Sequence, residues 1–177
     1  LMIISHNFGL GLEGYVRSGQ ANDFPVFDSC PNCGCFGPGN VRRHGFYWRN
    51  GVTETEEYRL PICRFRCAAC SVTISILPDF LLPYFQHTLG TVLGRIQELL
   101  ERKKAAGSRQ ICGFYKKRYF KNLHWIHSFF MDQGERTGFS EDQIKEAKKY
   151  LKRILDFGES SFLRRSWGHL TKYLMAN

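Results

Sequence analysis

The pattern of apolar and polar positions changes character once along the chain. Up to Leu77 the apolar residues fall in short β-branched or aromatic runs interrupted by glycine and proline. From Thr88 onward they recur at helical spacing and proline is absent. Val41 to Trp48 and Val52 to Phe65 flank Asn50-Gly51, a dipeptide that tolerates positive φ, so the spacing predicts a β-hairpin turning there. Ser71 to Leu77 alternates and is β-branched, which predicts a third strand closed by Pro78, and Phe24 to Phe27 predicts an edge strand. Leu89, Val92, Leu93, Ile96, Leu99 and Leu100 make one stripe of a first helix, which Ala105-Ala106-Gly107 is expected to end with Gly107 as the residue after the cap. Ser108 is expected to cap a short second helix carrying Ile111, Cys112 and Tyr115, and a third runs through Tyr119, Leu123, Ile126 and Phe130 to Gly134. Ser140 and Gln143 have the capping-box spacing and open a fourth helix through Ile144, Leu151 and Leu155 to Gly158. A last helix carries Phe162, Leu163, Trp167, Leu170 and Leu174, with Trp167 expected in the core.

The expected fold class is therefore α+β, a small β unit followed by an all-helical one. The domains are 1–87, with an N-terminal extension, and 88–177. With 43% hydrophobic and 15% aromatic residues in 177, the chain has enough apolar content for real cores, which excludes a disordered tail. No apolar run approaches the stretch of about 20 residues that spans a bilayer, so no membrane partner is expected. Leu1 to Val16 has neither a basic leader nor a sustained apolar core, and the expected location is the cytoplasm. The charge of +9 is concentrated: residues 101–121 hold Arg102, Lys103, Lys104, Arg109, Lys116, Lys117, Arg118 and Lys121 against Glu101 alone. A basic block of this kind is the electrostatic footprint of a nucleic-acid binder, or else a solvated helix face.

Chemistry enters with the seven cysteines. Cys30-Pro-Asn-Cys33-Gly and Cys67-Ala-Ala-Cys70 are two C-x2-C pairs separated by 33 residues that contain the hairpin. Two such knuckles supply the four soft ligands of one tetrahedral Zn²⁺ ion, and a β unit this small needs such a staple. An iron site with the same ligands and a pair of redox dithiols are the competing readings. Cys35 can replace Cys33 if the first knuckle is C-x4-C; Gly34 favours Cys33, leaving Cys35, Cys63 and Cys112 as packed or exposed thiols. Four thiolates leave no open position, so the metal is expected to be structural. His44, beside Arg42 and Arg43, is read as a surface residue, with phosphate contact as the alternative, whereas His124 and His127 are assigned to packing or DNA contact. Phe46 and Trp48 are expected to pack the β core; with Tyr47 they interleave with Arg42, Arg43 and Arg49, a mixture that also suits stacking on unpaired bases.

Read together, the knuckles, the strand Arg42-Arg43-His44-Gly45-Phe46-Tyr47, the approach Arg64-Phe65-Arg66-Cys67 and the tail Leu77-Pro78-Asp79-Phe80-Leu81-Leu82-Pro83-Tyr84 resemble a known family. They are similar to the zinc ribbon of insertion-sequence transposases and of related uncharacterised bacterial transposase-like proteins, over about residues 28–115. The resemblance implies a zinc ribbon followed by a helix-turn-helix that together recognise transposon-end DNA. Residues 88–133 supply the helices in the required order, with Lys116, Lys117 and Arg118 expected at the turn and Lys121 and Asn122 near the exposed face of the recognition helix. Arg118 and Asn122 have the geometry for guanine and adenine edges, and Arg42, Arg43 and Arg109 extend the basic surface. Such transposases continue into an acidic metal-binding catalytic core; this chain continues into helices. Its acids, Asp132, Glu135, Glu141, Asp142, Glu146, Asp156 and Glu159, sit at helix starts and solvated faces, so no enzymatic activity is expected. The expected function is zinc-dependent binding of double-stranded DNA, at transposon ends or regulatory sites. The alternative is an adaptor that docks a protein partner or a second copy.

Overall fold

The computed structural model describes residues 1–101 and 107–176. Arg102, Lys103 and Lys104 of the basic block, and the Ala105-Ala106 helix end, lie outside the described residues. The described chain is α+β, with one four-stranded sheet and six α-helices in two compact units, Leu1–His87 and Thr88–Asn177.

The first unit contains β1 (Met2–His6), α1 (Leu12–Ser18), β2 (Val41–Val52), β3 (Glu57–Cys67) and β4 (Thr73–Pro78). The strand order is β1-β4-β3-β2, antiparallel from β2 to β4, with β1 parallel to β4 in the register Met2↔Ile74 to His6↔Pro78. β1 and α1 were not expected from the glycine-interrupted N-terminus: β1 exists because β4 offers it an edge, a long-range cause that local patterning does not carry.

The hairpin does not turn at Asn50-Gly51. Both residues stay in the ladder, as Asn50↔Arg59 and Gly51↔Tyr58, and the chain reverses at residues 53–56. There the Thr53 hydroxyl accepts from the Glu56 amide at 2.9 Å, and the Thr53 amide donates to the Glu56 carbonyl at 2.8 Å. Gly51 serves packing instead: a Cβ there would lie 2.5 Å from Cδ1 of the fully buried Leu60. The expected edge strand at Phe24 to Phe27 is also absent. Those residues cross one face of the sheet as irregular chain, with Phe24 edge-on to Phe46 at 5.5 Å and Phe27 edge-on to Phe65 at 5.1 Å. With Cys63, Ile74 and Ile76 they form the core of that face, and Tyr15 of α1 donates its hydroxyl to the Pro61 carbonyl at 2.6 Å. Trp48 is not in this core; it is half-exposed, with the Arg59 guanidinium 5.5 Å above its ring.

The opposite face carries Leu60 and Ile62, both fully buried, at the end where residues 78–87 return along the sheet. Arg49 pins this return by donating to the carbonyls of Leu82 and Phe85, and the Val52 amide donates to the Gln86 carbonyl at 2.9 Å.

The second unit contains α2 (Leu89–Leu100), α3 (Arg109–Lys121), α4 (Leu123–Asp132), α5 (Gln143–Phe157) and α6 (Glu159–Ser166). Ser108 caps α3 by accepting from the Ile111 amide at 3.2 Å, but α3 is not short. It runs past Lys116, Lys117 and Arg118 to Lys121, and Asn122 is both its last cap and the first cap of α4. The cap of α5 is Asp142, which accepts from the Ile144 and Lys145 amides at 3.0 and 3.1 Å, rather than Ser140. The last helix ends at Ser166; Trp167 is half-buried against Tyr173, Leu170 is exposed, and Leu163 and Leu174 are buried. Phe129, Phe130, Tyr150 and Phe162 form an aromatic core, with Phe130 and Phe162 stacked at 5.6 Å. Among the described residues no helix is long and apolar enough to cross a membrane.

Because Gly51 leaves room for Leu60, Gly51→Ala is expected to destabilise the first unit by about 1–3 kcal/mol through overpacking. Denaturant unfolding checks this; an unchanged midpoint would show that the position is not packed.

Candidate metal centre

Two stretches of chain make the same turn. In the first, the Cys30 amide donates to the Cys35 carbonyl at 2.8 Å and Gly34, after Cys33, takes a φ of 70°. In the second, the Cys67 amide donates to the Val72 carbonyl at 3.0 Å and Ser71, after Cys70, takes a φ of 58°. Cys30 thus corresponds to Cys67, Cys33 to Cys70 and Gly34 to Ser71, while Cys35 holds the place of Val72. The sulfur bonding repeats as well: the Cys33 Sγ accepts from the Cys35 amide, and the Cys70 Sγ from the Val72 amide.

The knuckles are held together by the backbone around them. β3 ends at Cys67, so sheet register sets the second knuckle, and the Ala68 amide donates to the Asn40 carbonyl at 2.9 Å. The first is closed by the bridge Ser29↔Phe36 and by the Gly37 amide on the Asp28 carbonyl at 2.8 Å. Gly37 must be glycine here, since a Cβ would lie 1.8 Å from the Phe27 carbonyl oxygen.

This brings five of the seven cysteines together. The Sγ atoms of Cys30, Cys33, Cys35 and Cys67 all lie within 4.8 Å of one another. The Cys70 Sγ lies 3.9 Å from that of Cys30 and accepts from the Asn32 side-chain amide at 3.4 Å. The cross-knuckle pairs Cys30 with Cys70 and Cys33 with Cys67 are both 3.9 Å apart, and Cys35 is 3.5 Å from Cys67. These separations are far longer than the disulfide bond of about 2.05 Å. They are close to the edge of about 3.8 Å of a tetrahedron whose centre is about 2.3 Å from each sulfur, the metal–thiolate distance for zinc. The cluster is compatible with a metal site; the four sulfurs all within 4.8 Å of one another include Cys35, which the spacing left outside the ligand set, and leave out Cys70, which the spacing placed inside it.

The electrostatics are uneven. The Cys70 amide, with other donors of the knuckle, pulls the Cys67 thiol down to about 6. The Val72 amide and then Asn32 lower Cys70 as well. The Cys35 amide pulls Cys33 down, yet its contact with the Cys35 thiol, burial and the thiols of Cys70 and Cys30 outweigh that and push it up to about 12. Crowded thiols cannot all ionise without a cation between them, and a divalent ion removes that conflict. Cys63 and Cys112 are buried and are not members of this group.

The expected DNA-contacting residues fall in separate places. Arg42 and Arg43 are exposed on β2, Arg42 donating to the Gly39 carbonyl at 2.7 Å and Arg43 lying 5.4 Å above the Phe24 ring. Arg109, Lys116, Lys117 and Lys121 are exposed on α3, on the arc opposite the buried Cys112, Tyr115 and Tyr119. Arg118 is half-buried, donating to the Met175 carbonyl at 3.2 Å and packed on Phe114. Asn122 is removed from the surface: it is 4% exposed, and its amide donates to the Arg118 and Ala176 carbonyls at 2.8 and 3.1 Å. The reason is its place at the joint between α3 and α4, where polar backbone groups need a partner. His124 stacks on Phe139 at 4.1 Å, and His127 bonds the Tyr150 hydroxyl, so both are packing residues. Ser128 lies 2.7 Å from the His169 Nε2, whose Nδ1 is 3.7 Å from Asp132. The order resembles a hydrolytic triad, but Ser128 sits inside α4, where flanking amides serve helix bonds rather than an oxyanion. It anchors the C-terminal segment.

Residues 30–111, under half of the chain, are similar to a family described as a domain of unknown function, DUF6431. The match spans both knuckles, β2 to β4, α2 and the start of α3. No curated protein and no solved structure matches. The chemistry of the centre is therefore tested on the cysteines themselves. Cys33→Ser and Cys67→Ser are expected to abolish metal retention, measured by elemental analysis, while Cys63→Ala and Cys112→Ala retain it. The repeat of the two knuckles further predicts that Cys70→Ser loses metal and Cys35→Ser keeps it. Cys67 is held down to about 6, so protons compete for its sulfur only below that value, and bound metal is expected to stay in place at neutral pH and to be released by stronger acid.

Proposed function

We propose that this protein is a zinc-dependent double-stranded DNA-binding protein, related to insertion-sequence transposases, that recognises transposon-end or regulatory DNA without catalysing its rearrangement. The observation that carries the reading is α3, which has five basic residues and no acid among its 13 positions. Arg109, Lys116, Lys117 and Lys121 stand exposed on one arc, positioned for successive phosphates. Arg118 is tied to the C-terminal segment and contributes charge from a fixed position. In this reading α3 is the element offered to the groove, in place of a recognition helix beginning at Lys116, and α2 to α4 form its helix-turn-helix-like support. Cys30, Cys33, Cys67 and Cys70 hold one structural Zn²⁺ ion, with Cys35 beside them. The ion supplies cohesion to a small β unit and takes no part in a reaction.

A protein-docking adaptor is the second reading, favoured by the exposure of Val26 and Phe36 on either side of the first knuckle, at 88% and 70%. The two readings separate on salt and charge. Exchange of Lys116 and Lys117 for Glu is expected to weaken duplex binding at least tenfold at about 0.1 M salt, and to reduce the slope of log affinity against log salt by about 2. Titration of a fluorescent duplex at several salt concentrations checks both. Wild-type affinity in that variant would overturn the α3 surface, and Val26→Ser with Phe36→Ser would then decide the adaptor reading by loss of a co-purifying partner.

A further inference from the structure

Among the described residues of the first unit, the face of the sheet opposite the aromatic core is covered at one end. There residues 78–87 lie along it, and Leu60 and Ile62 are fully buried. Toward the knuckles the same face continues along β3 as Arg64 and Arg66, which are half-exposed and exposed. Strand register then decides what surrounds them. Arg66 is directly opposite Arg42 on β2, and Arg64 is opposite Gly45 on β2 and Ser75 on β4. Like charges directly opposite one another in a sheet are destabilising, and among the described residues no carboxylate pairs with Arg42, Arg64 or Arg66. Arg64 also buries its Nε without a hydrogen-bond partner. A fold that keeps three guanidinium groups unneutralised on one surface is complementary to an anion.

The surface has two hollows. One, of about 340 Å³, is lined by Arg42, Arg43, His44 and Arg66 with Ser71. A β-bulge between Arg43 and Gly45, with Gly45 at a φ of 125°, breaks the alternation of β2 and turns His44 into this group. The other, of about 500 Å³, is lined by Ile3, Tyr47, Arg49, Arg64, Ser75 and Tyr84. It combines an apolar floor, a hydroxyl and two tyrosines. Tyr84 is 77% exposed and held at a φ of 66°, a backbone region that non-glycine residues rarely adopt. Arg64 and Arg66, two residues apart on β3 and thus about 7 Å apart along the strand, link the hollows.

We propose that this open sheet face binds single-stranded nucleic acid, with phosphates on Arg42, His44 and Arg66 and an unpaired base in the hollow between Tyr47 and Tyr84. A free base fits a hollow with aromatic walls and hydroxyl groups, while the bases of a duplex are stacked inside it and cannot enter. The Arg64 guanidinium, 5.7 Å above the Tyr47 ring, stands at the junction, where it serves both the phosphate and the stacked base. The site uses residues of the first unit only and does not depend on the duplex reading of α3.

The test is fluorescence anisotropy of the metal-loaded full chain with a labelled 12-nucleotide single strand. The same-length duplex, a mononucleotide and inorganic phosphate serve as competitors. The expected result is binding of the strand that Tyr84→Ala weakens about tenfold, the loss of one stacked base, and that Arg64→Met and Arg66→Gln weaken further. Lys116→Glu with Lys117→Glu leaves strand binding in place, so failure of the duplex reading and failure of this one are separate outcomes. Metal content and circular dichroism identify any variant that fails to fold; Tyr84→Ala, at an exposed side chain, then decides alone. Strand binding unaffected by Tyr84→Ala, equal competition by duplex, or competition by inorganic phosphate as strong as by the strand would each overturn the proposal.

Discussion

Four sulfur atoms within 4.8 Å of one another, with a fifth 3.9 Å from Cys30, constrain everything else in the first unit. Thiols at such separations resist ionising together, so the fold must bring to them whatever positive potential it can. It does so with backbone: the amides of Cys35, Cys70 and Val72 and the side chain of Asn32 all point at sulfur. Those amides are available only if both knuckles close, and the second closes only if β3 ends at Cys67 in the observed register with β2 and β4. Sheet pairing and sulfur geometry are therefore linked through the same backbone amides, and a metal held by the sulfurs would add to that link.

The knuckles were legible in the sequence because their chemistry is local: four residues and a following residue at positive φ, Gly34 in one and Ser71 in the other, define each turn. The membership of Cys35 was less so. Its distance from Cys33 marks it as a neighbour, but only the hydrogen bond from the Cys30 amide to its carbonyl folds it back toward Cys67. The helical stripes were legible for the same local reason, and Ser108 acts as the expected cap. The misplaced turn at Asn50-Gly51 shows the limit. The dipeptide's freedom is real, but the competing demand was space for Leu60, which depends on a residue nine positions away across the ladder.

Arg64 and Arg66 teach a related lesson. In the sequence they flank Phe65 as an approach to the second knuckle, without indication of which face they join. Pairing with β2 and β4 sets both on one face with Arg42, and sends Phe65 into the core on the other. Asn122 moved the opposite way. Its side chain is suited to an adenine edge, yet the joint between two helices that follow one another without a loop consumes it.

The order of the sheet leaves β2 as an outer strand of 12 residues, with one row of its backbone groups facing away from β3. A long unpaired edge is a template on which a second molecule can add a strand. Here the edge is broken at the bulge after Arg43 and flanked by Arg42, Arg43 and His44, so an approaching copy meets both an irregular ladder and its own positive charge. The arginines at one end of this margin thus oppose a second strand by like charge, while the other end is taken by the chain itself, the Val52 amide donating to the Gln86 carbonyl.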